Sequence, residues 1–289
     1  MKINIDIPKN FFTMKKRLLL IFLLAGFLKS FAQDLPSMEQ MLHAYRNAID
    51  AFQTNQGCGH VLDGPLAFGK ELERSSLDLL IQVSPDEEKT MGKEVNAKMR
   101  EELTVVPDHW AQADLNNMIR KLSSRLKRPY VTYKAIVFRS EEVNAFATVG
   151  GYIYITTGLL DFVESMDELA FIVAHEISHN DLEHTLRKQK KLLMASNLGR
   201  MINMETLTAV ALNINLMLSA PFDQIDEYGA DRNAFDLALK AGYDKDRFAD
   251  FFIKLERYEQ PGLLTKLLST HPFPSDRKNC IQQYIDNSK

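Results

Sequence analysis

Two histidines with a glutamate directly after the first are the residues of this chain best suited to chemistry. His175 and His179 are four positions apart, so on a helix both imidazoles project from one face and can reach a single metal ion. Glu176 borders the same space and could take a proton from water activated by that ion. The HExxH spacing therefore predicts a metal site with a general base. A chance match, in a chain with seven histidines, is the alternative.

The segment around these histidines predicts one helix over residues 165–191. Ser165 and Glu168 have the spacing of a capping box, and the basic run 187–191 suits the C-terminal end of the helix dipole. Residues 169–174 are apolar all round, which is typical of a helix buried on most sides. We therefore expect a long buried helix whose basic end is solvated.

A catalytic zinc ion bound by two histidines needs a third protein ligand. Glu183 would lie about 12 Å beyond His175 along the same helix, which is too far for convergence and indicates a surface charge. Glu205 stands near a helix start, where capping accounts for it. An extended HExxHxxGxxH site is excluded because Thr185 stands where that site needs histidine. His184 is expected to have a packing or hydrogen-bonding role.

Glu227 is the predicted third ligand. Asp231 follows it one turn later on the same helix face, and Gly229 lies between them. A glycine inside a helix indicates that another helix packs very close, and the helix carrying His175 is the expected neighbour. Asp231 would then hold a ligating imidazole by its other N–H group. An ordinary acidic helix face is the alternative.

The rest of the chain predicts an α+β protein that is mostly helical. Strands are expected over residues 131–138 and 152–156 and a loop over residues 144–151. Helices are expected over residues 38–52, 66–80, 84 onwards, 107–126, 157–163, 207–220, 221–241, 246–258 and 275–289. The mostly apolar run 207–220 is only fourteen residues long and contains Asn213 and Asn215, so it is too short for a membrane span and predicts a core or cleft-covering helix.

The first 32 residues have the layout of a secretory signal peptide. A basic start after Met14 precedes the eleven residues 18–28, which are apolar, and small residues then precede Gln33. Eleven residues fall short of the ~20 that span a bilayer, so a retained anchor is the weaker alternative. We expect residues 1–32 to be the signal peptide, with translation starting at Met14 as an option, and residues 33–83 to be a helical extension before a catalytic domain over 84–289.

Charge and cysteine content limit the partners. Removal of residues 1–32 would delete six of 35 Lys and Arg and one of 38 Asp and Glu, which leaves a net charge of about −8. A general nucleic-acid or anionic-membrane binder would be basic instead. Peripheral membrane contact and the oligomeric state stay open. Cys58 and Cys280 are the two cysteines, and in an exported protein they are either free or joined in one disulfide.

Four segments resemble the zinc metallopeptidases that include the bacterial HtpX and BepA proteins and the CAAX prenyl proteases. In order they are VNAFATVGGYIYITTGLL, DELAFIVAHEISHNDLEH, DEYGADRNAFDLALKAGYD and THPFPSDR. The resemblance begins at about residue 84 and is greatest to the periplasmic BepA-type members, although no segment matches their C-terminal helical repeat domain.

The resemblance implies a zincin-like domain with a small sheet beside the HExxH helix. It implies one zinc ion per chain held by His175, His179 and Glu227, with Glu176 as catalytic base and Asp231 supporting the ligands. It also implies that His271 lies at the active site, where it either stabilises the oxyanion or closes the site as a removable ligand. Substrate contacts are implied along the strand edge and loop at positions Asn144, Ala145, Gly150 and Gly151.

The expected function is that of an exported zinc metalloendopeptidase. Its substrates would be unfolded or misassembled proteins of the cell envelope, in the periplasm or, alternatively, outside the cell. A metal-binding chaperone or adaptor without proteolysis is the first rival, and an intact Glu176 argues against it. A helical scaffold with a fortuitous HExxH is the second, and it would hold no stoichiometric zinc.

Overall fold

A computed structural model of the chain describes Cys58 and residues 65–196, 204–258, 261–272 and 274–288. The predicted signal peptide and the predicted helix over residues 38–52 lie outside these residues. The described part is mostly helical with one small sheet, so the predicted fold class is confirmed. Its α-helices are α1 (Pro65–Leu80), α2 (Pro85–Glu102), α3 (Gln112–Leu122), α4 (Thr157–Phe162), α5 (Met166–Asp181), α6 (His184–Ser196), α7 (Met204–Leu212), α8 (Ile214–Ser219), α9 (Gln224–Lys240), α10 (Asp250–Leu255), α11 (Thr265–Thr270) and α12 (Pro274–Asn287).

The sheet has the strand order β1-β3-β2. β1 (Lys134–Phe138) is parallel to β3 (Tyr152–Thr156), and β2 (Ala145–Thr148) is antiparallel to β3 and forms one edge. The sequence predicts a loop over residues 144–151, and this is wrong for β2. All four of its side chains are buried. A strand that packs on both faces does not show the alternation of apolar and polar residues by which half-exposed strands are recognised.

The two faces of the sheet are covered by different helices. Alternate residues of the strands point to opposite sides, so Ala145 and Ile153 join a core with α3, α5, α9, α10 and α12. Phe146 and Tyr154, whose rings stack with centroids 5.1 Å apart, join a second core with α2, α6, α7 and α8. The sheet is therefore a middle layer, and α5 lies beside its β2 edge.

The predicted single helix over residues 165–191 is in fact two helices. Ser165 caps its start as expected, because its side chain accepts a hydrogen bond from the backbone N–H of Glu168. The capping box is not completed, since Glu168 Oε2 accepts from the N–H of Glu164 instead of that of Ser165. The helix ends at Asp181 since the carbonyl of Asn180, which would accept from His184 in a continuous helix, instead accepts from Arg128 Nη1 and from the N–H of Glu183. Glu183 has a positive φ of 63°, and α6 leaves in a new direction.

Three predicted helices begin later or are shorter than expected. The segment before α3 runs beside β1 instead, where Val106 donates to Val137 and Val105 forms a bridge with Phe138. α9 begins at Gln224, with the Asp223 side chain as its N-cap. The segment predicted over residues 246–258 contains a 3-10 turn (Lys245–Arg247) followed by α10. The proline and acidic start signals therefore do not mark where these three helices begin.

The basic run 187–191 lies within α6 and is buried except for the half-buried Lys191, contrary to the expectation of a solvated helix end. Arg187 pairs with Asp226, Lys190 with Asp78, and Lys191 with Asp223 and Glu73. The partners come from α1 and from the start of α9, so these charges join three helices. The charges of Arg187, Lys190 and Lys191 are tolerated because each has an opposite charge in reach.

Cys58 and Cys280 are joined in a disulfide, with their Cα atoms 5.0 Å apart. The bond connects the region before α1 to α12, which resolves the alternative left open by the sequence. Within the described residues no helix is both long and apolar enough to cross a membrane. The predicted core or cleft-covering helix over residues 207–220 is divided at Asn213, whose side chain caps α8.

Candidate metal centre

His175 and His179 lie in the buried middle of α5. Both imidazoles are almost entirely removed from solvent, and their Nε2 atoms are 2.9 Å apart. Burial lowers the pKa of both rings, and the charge of Arg277 adds to this at His175. Both imidazoles are therefore neutral at physiological pH, which is the form that binds a metal ion.

Glu227 reaches the two imidazoles from α9, which packs along α5. Its Oε1 is 3.3 Å from His179 Nε2 and its Oε2 is 3.7 Å from His175 Nε2. Burial alone would raise the pKa of this carboxyl, but Arg277 and His271 outweigh burial and hold the pKa well below its usual value. Glu227 is therefore an anion in a fully buried position.

Gly229 does not have the expected reason for its small size. A Cβ atom at this position would lie 3.6 Å from His184 Cε1, which is ordinary contact, and it would not touch α5. The helix carrying His175 is the neighbour of α9, as expected, but Gly229 is not the point of their closest approach. The glycine instead faces the imidazole of His184, at the start of α6.

His271 follows α11 and completes the group. Its Nδ1 is 3.1 Å from Glu227 Oε1 and 3.4 Å from His175 Nε2. Its Nε2 points towards Glu176, with 3.7 Å to Oε1. The backbone N–H of Phe222 donates to the carbonyl of Thr270, which ties the segment before α9 to the one that carries His271.

Four donor atoms from three parts of the chain thus meet in one buried place. Three imidazole nitrogens and one carboxylate oxygen, from His175, His179, His271 and Glu227, lie within 4.8 Å of one another. A tetrahedral zinc ion with bonds of about 2 Å separates its ligand atoms by about 3.3 Å. Four separations among these atoms are 2.9, 3.1, 3.3 and 3.4 Å. The residues therefore fit one small divalent cation.

The other ring nitrogen of His175 is held by Asp231. Asp231 Oδ1 lies 2.8 Å from His175 Nδ1, and both carboxylate oxygens accept from Arg277, at 2.7 and 2.8 Å. A carboxylate on the far nitrogen orients an imidazole ligand and makes it a stronger base. The structure places Asp231 where the sequence predicts a supporting carboxylate.

Glu176 lies beside the donor atoms and points to the sheet. Burial raises the pKa of its carboxyl, although His271 and His175 oppose this and the backbone N–H of Ala147 donates to it. Its Oε2 is buried and has no hydrogen-bond partner. A carboxylate with a raised pKa and an unused oxygen is suited to accept a proton from a molecule that enters the site.

The four residues predicted to contact substrate lie around β2. Asn144 and Ala145 are buried at its start, and Ala145 lines a cavity next to Glu176. Gly150 and Gly151 form the turn into β3 with φ of 79° and 88°. A Cβ at Gly150 would lie 2.9 Å from the Cα of Gly92, so backbone packing accounts for this glycine. Substrate contact by all four stays a prediction.

Arg277, His184 and Lys188 border the site although the sequence did not indicate it. Arg277 belongs to the THPFPSDR segment, but a single arginine at a helix start is usually exposed. The sequence predicted one continuous helix, and the break after α5 places His184 and Lys188 elsewhere than that helix would. The ammonium of Lys188 lies 4.0 Å from the centre of the Phe222 ring, which stacks on His179 with centroids 3.7 Å apart. No local spacing signals these contacts.

Comparison with known sequences agrees with this geometry. A model of the family described as Peptidase family M48 matches residues 109–285. "Beta-barrel assembly-enhancing protease" of Yersinia pestis is 25% identical over 243 residues, which are 75% of this chain and 50% of that protein. "Metalloprotease LoiP" of Escherichia coli (strain K12) is 24% identical over 202 residues, which are 67% of this chain and 79% of that protein.

A mitochondrial relative is also similar. "Metalloendopeptidase OMA1, mitochondrial" of Bos taurus is 27% identical over 215 residues, which are 61% of this chain and 40% of that protein. The chain thus spans about half or less of the length of several relatives that it matches. Residues 175, 179, 227 and 271 all fall within the matched family segment.

Proposed function

This chain belongs to peptidase family M48, and on that premise we propose that it is a zinc-dependent metalloendopeptidase. The observation that carries the proposal is the convergence of His175, His179 and Glu227 on one point with Glu176 at its side. Two helices far apart in sequence have to pack together for this to occur. An accidental HExxH in a helical scaffold does not require such a meeting.

The residues have distinct roles in the proposed hydrolysis of a peptide bond. His175, His179 and Glu227 would hold one zinc ion, which supplies Lewis acidity that polarises a carbonyl and makes water more acidic. Glu176 takes the proton of the attacking water and passes it to the leaving amine. Its Oε2, buried and without a partner, is the atom available for that proton.

His271 would act as a removable ligand in this scheme. Its Nδ1 faces the other three donor atoms, as a fourth ligand would, and only its Nε2 faces Glu176. A catalytic zinc site needs an open position for substrate. His271 therefore has to leave before a peptide is cleaved, and the alternative, a role at the oxyanion, requires the ring to turn.

The β2 edge would align the peptide. The carbonyl of Asn144 accepts from Thr156 in β3, so by the alternation of an antiparallel pair the backbone groups of Ala145 and Ala147 point away from the sheet. That of Ala147 already meets Glu176. A peptide added as a further strand at Ala145 would lie next to the catalytic carboxylate. An apolar cavity there is lined by Leu159, Phe171, Ile172, Phe251, Phe252 and Leu267, among others.

We further propose that the protein is exported and acts on unfolded or misassembled proteins of the cell envelope. The signal-like start supports export, and a disulfide is typical of oxidising compartments. The name of the relative in Yersinia pestis, a beta-barrel assembly-enhancing protease, supports substrates among the proteins of the cell envelope. A fusion of residues 1–33 to a reporter that is active only outside the cytoplasm tests export, and an inactive fusion would contradict it.

The activity is tested by Glu176→Gln with Glu205→Gln as the matched control on an exposed glutamate. We expect wild type and the control to cleave casein, and a chelator to stop both. Glu176→Gln should lose roughly 10²–10⁴-fold in rate and keep about one zinc per chain by elemental analysis. Undiminished cleavage by Glu176→Gln, or a wild type without metal, would sink the proposal.

The rival chaperone predicts a different pattern. Wild type and Glu176→Gln would then suppress aggregation of a denatured protein equally, and neither would produce fragments. Fragment analysis of the same aggregation assay separates the two functions.

A further inference from the structure

The two histidine ligands of the proposed zinc site are held in different ways. His175 Nδ1 lies 2.8 Å from the carboxylate of Asp231. His179 Nδ1 lies 3.2 Å from another imidazole nitrogen, Nδ1 of His184. We propose that His184 is a positioning residue that accepts the Nδ1–H of His179 and thereby retains the metal. This inference rests on the metal centre of the proposed function.

The break after α5 creates this contact. In a continuous helix, His184 would be five positions beyond His179 and would point away from it. Because α5 ends at Asp181 and Glu183 turns the backbone, α6 begins with the His184 ring next to His179, with ring centroids 5.2 Å apart at 71°. His184 is only 6% exposed, so bulk water does not compete with its ring for the N–H of His179.

The far side of the His184 ring faces an anion. Its Nε2 is 3.5 Å from Asp226 Oδ1, and the same oxygen accepts from Arg187 at 3.1 Å. Asp226 is anchored at the start of α9, where its backbone N–H donates to the Asp223 side chain. The groups form a chain that runs from Asp226 through His184 to His179.

The direction of the chain follows from the metal site. His179 presents Nε2 to the other donor atoms, so its proton is on Nδ1. Two N–H groups cannot face each other at 3.2 Å, so His184 must present a bare Nδ1 and carry its own proton on Nε2, towards Asp226. The carboxylate then favours the one tautomer of His184 that can accept from His179.

The backbone of α9 at Gly229 lies beside this ring. The position faces His184 Cε1 and Nε2, at 3.6 and 3.9 Å from a Cβ. These are ordinary contact distances, so the His184 ring packs against α9 as well as against His179.

The test compares His184→Leu, which removes the acceptor at similar size, with His184→Asn, whose amide oxygen can stand near the position of Nδ1. His109→Leu is the matched control, because His109 Nδ1 also accepts a hydrogen bond, from Ala111 N–H, and lies outside the metal centre. The readouts are the rate of zinc loss to excess chelator and the visible spectrum of the cobalt-substituted protein. Neither depends on turnover.

We expect His184→Leu to lose zinc about 10–100-fold faster and to change the cobalt spectrum. His184→Asn and His109→Leu should stay close to wild type in both. Equal zinc loss from wild type and His184→Leu, or equally fast loss from the Asn and Leu variants, would overturn the positioning role while leaving the proposed function intact. A wild type that binds no zinc would overturn both. Should His184→Leu fail to fold, Asp226→Asn tests the same chain, and unchanged zinc loss from it would count against the inference.

Discussion

Arg277 donates through Nε and Nη2 to both carboxylate oxygens of Asp231, at 2.7 and 2.8 Å, and its Nη1 lies 2.5 Å from Glu227 Oε2. One buried guanidinium of α12 therefore forms ion pairs with two buried carboxylates that α9 presents one turn apart. Arginine suits this place because its planar fork can meet a carboxylate with two parallel bonds.

Arg277→Met should destabilise the protein by about 3–5 kcal/mol, because two buried carboxylates each lose their ion pair with the guanidinium. Arg277→Lys should recover part of the loss, since lysine keeps the charge without the fork. The measurement is denaturant unfolding, with Arg232→Met on the exposed side of α9 as control, where the effect should be within about 0.5 kcal/mol. An Arg277→Met protein with the same free energy of unfolding as wild type would show that the pairing is not stabilising.

His271→Ala should keep about one zinc per chain, because three protein ligands remain. If His271 closes the site, the variant should cleave an unstructured peptide faster than wild type, chiefly through a higher kcat. Steady-state kinetics together with metal analysis check this. Loss of cleavage with zinc still bound would show instead that the ring assists the transition state.

The lowered pKa of Lys188 should make the free energy of unfolding depend on pH. Burial lowers the pKa of its ammonium to about 8, whereas an unfolded lysine titrates at about 10.4. Between these values the unfolded chain binds more protons, so the free energy of unfolding contributed by Lys188 rises with pH. We expect wild type to gain about 1–2 kcal/mol relative to Lys188→Met from pH 8 to about 10. Denaturation at several pH values checks this, with exposed Lys89→Met as control, and parallel curves for wild type and Lys188→Met would contradict it.

The disulfide between Cys58 and Cys280 spans 222 residues, and its loss should destabilise the protein by about 2–5 kcal/mol. Thermal unfolding with and without a reductant should show a lower midpoint for the reduced protein. The double variant Cys58→Ser with Cys280→Ser should unfold at that lower midpoint whether or not reductant is present. A midpoint independent of reductant in wild type would contradict the prediction.

The local sequence was sufficient to predict that helices carry the residues of the candidate metal centre. The serine cap before α5, the HExxH spacing and the one-turn spacing of Glu227 and Asp231 predict two helix faces that can present donors, and the structure brings those donors together. These signals depend on residues within one or two turns of each other, which is the range over which helix periodicity and capping act.

The side chains that surround those helix faces could be identified only from the tertiary structure. α5 ends after Asp181 because a distant arginine, Arg128, donates a hydrogen bond to the carbonyl of Asn180. This break in the helix brings His184 beside His179 and buries most of the basic run that follows. Arg277 likewise looks like a surface residue until α12 packs on α9. The sequence by itself determined which side chains can bind a metal. Only the fold decided which charges and imidazoles hold them in place, because the partner of a buried polar group is set by packing between segments far apart in the chain.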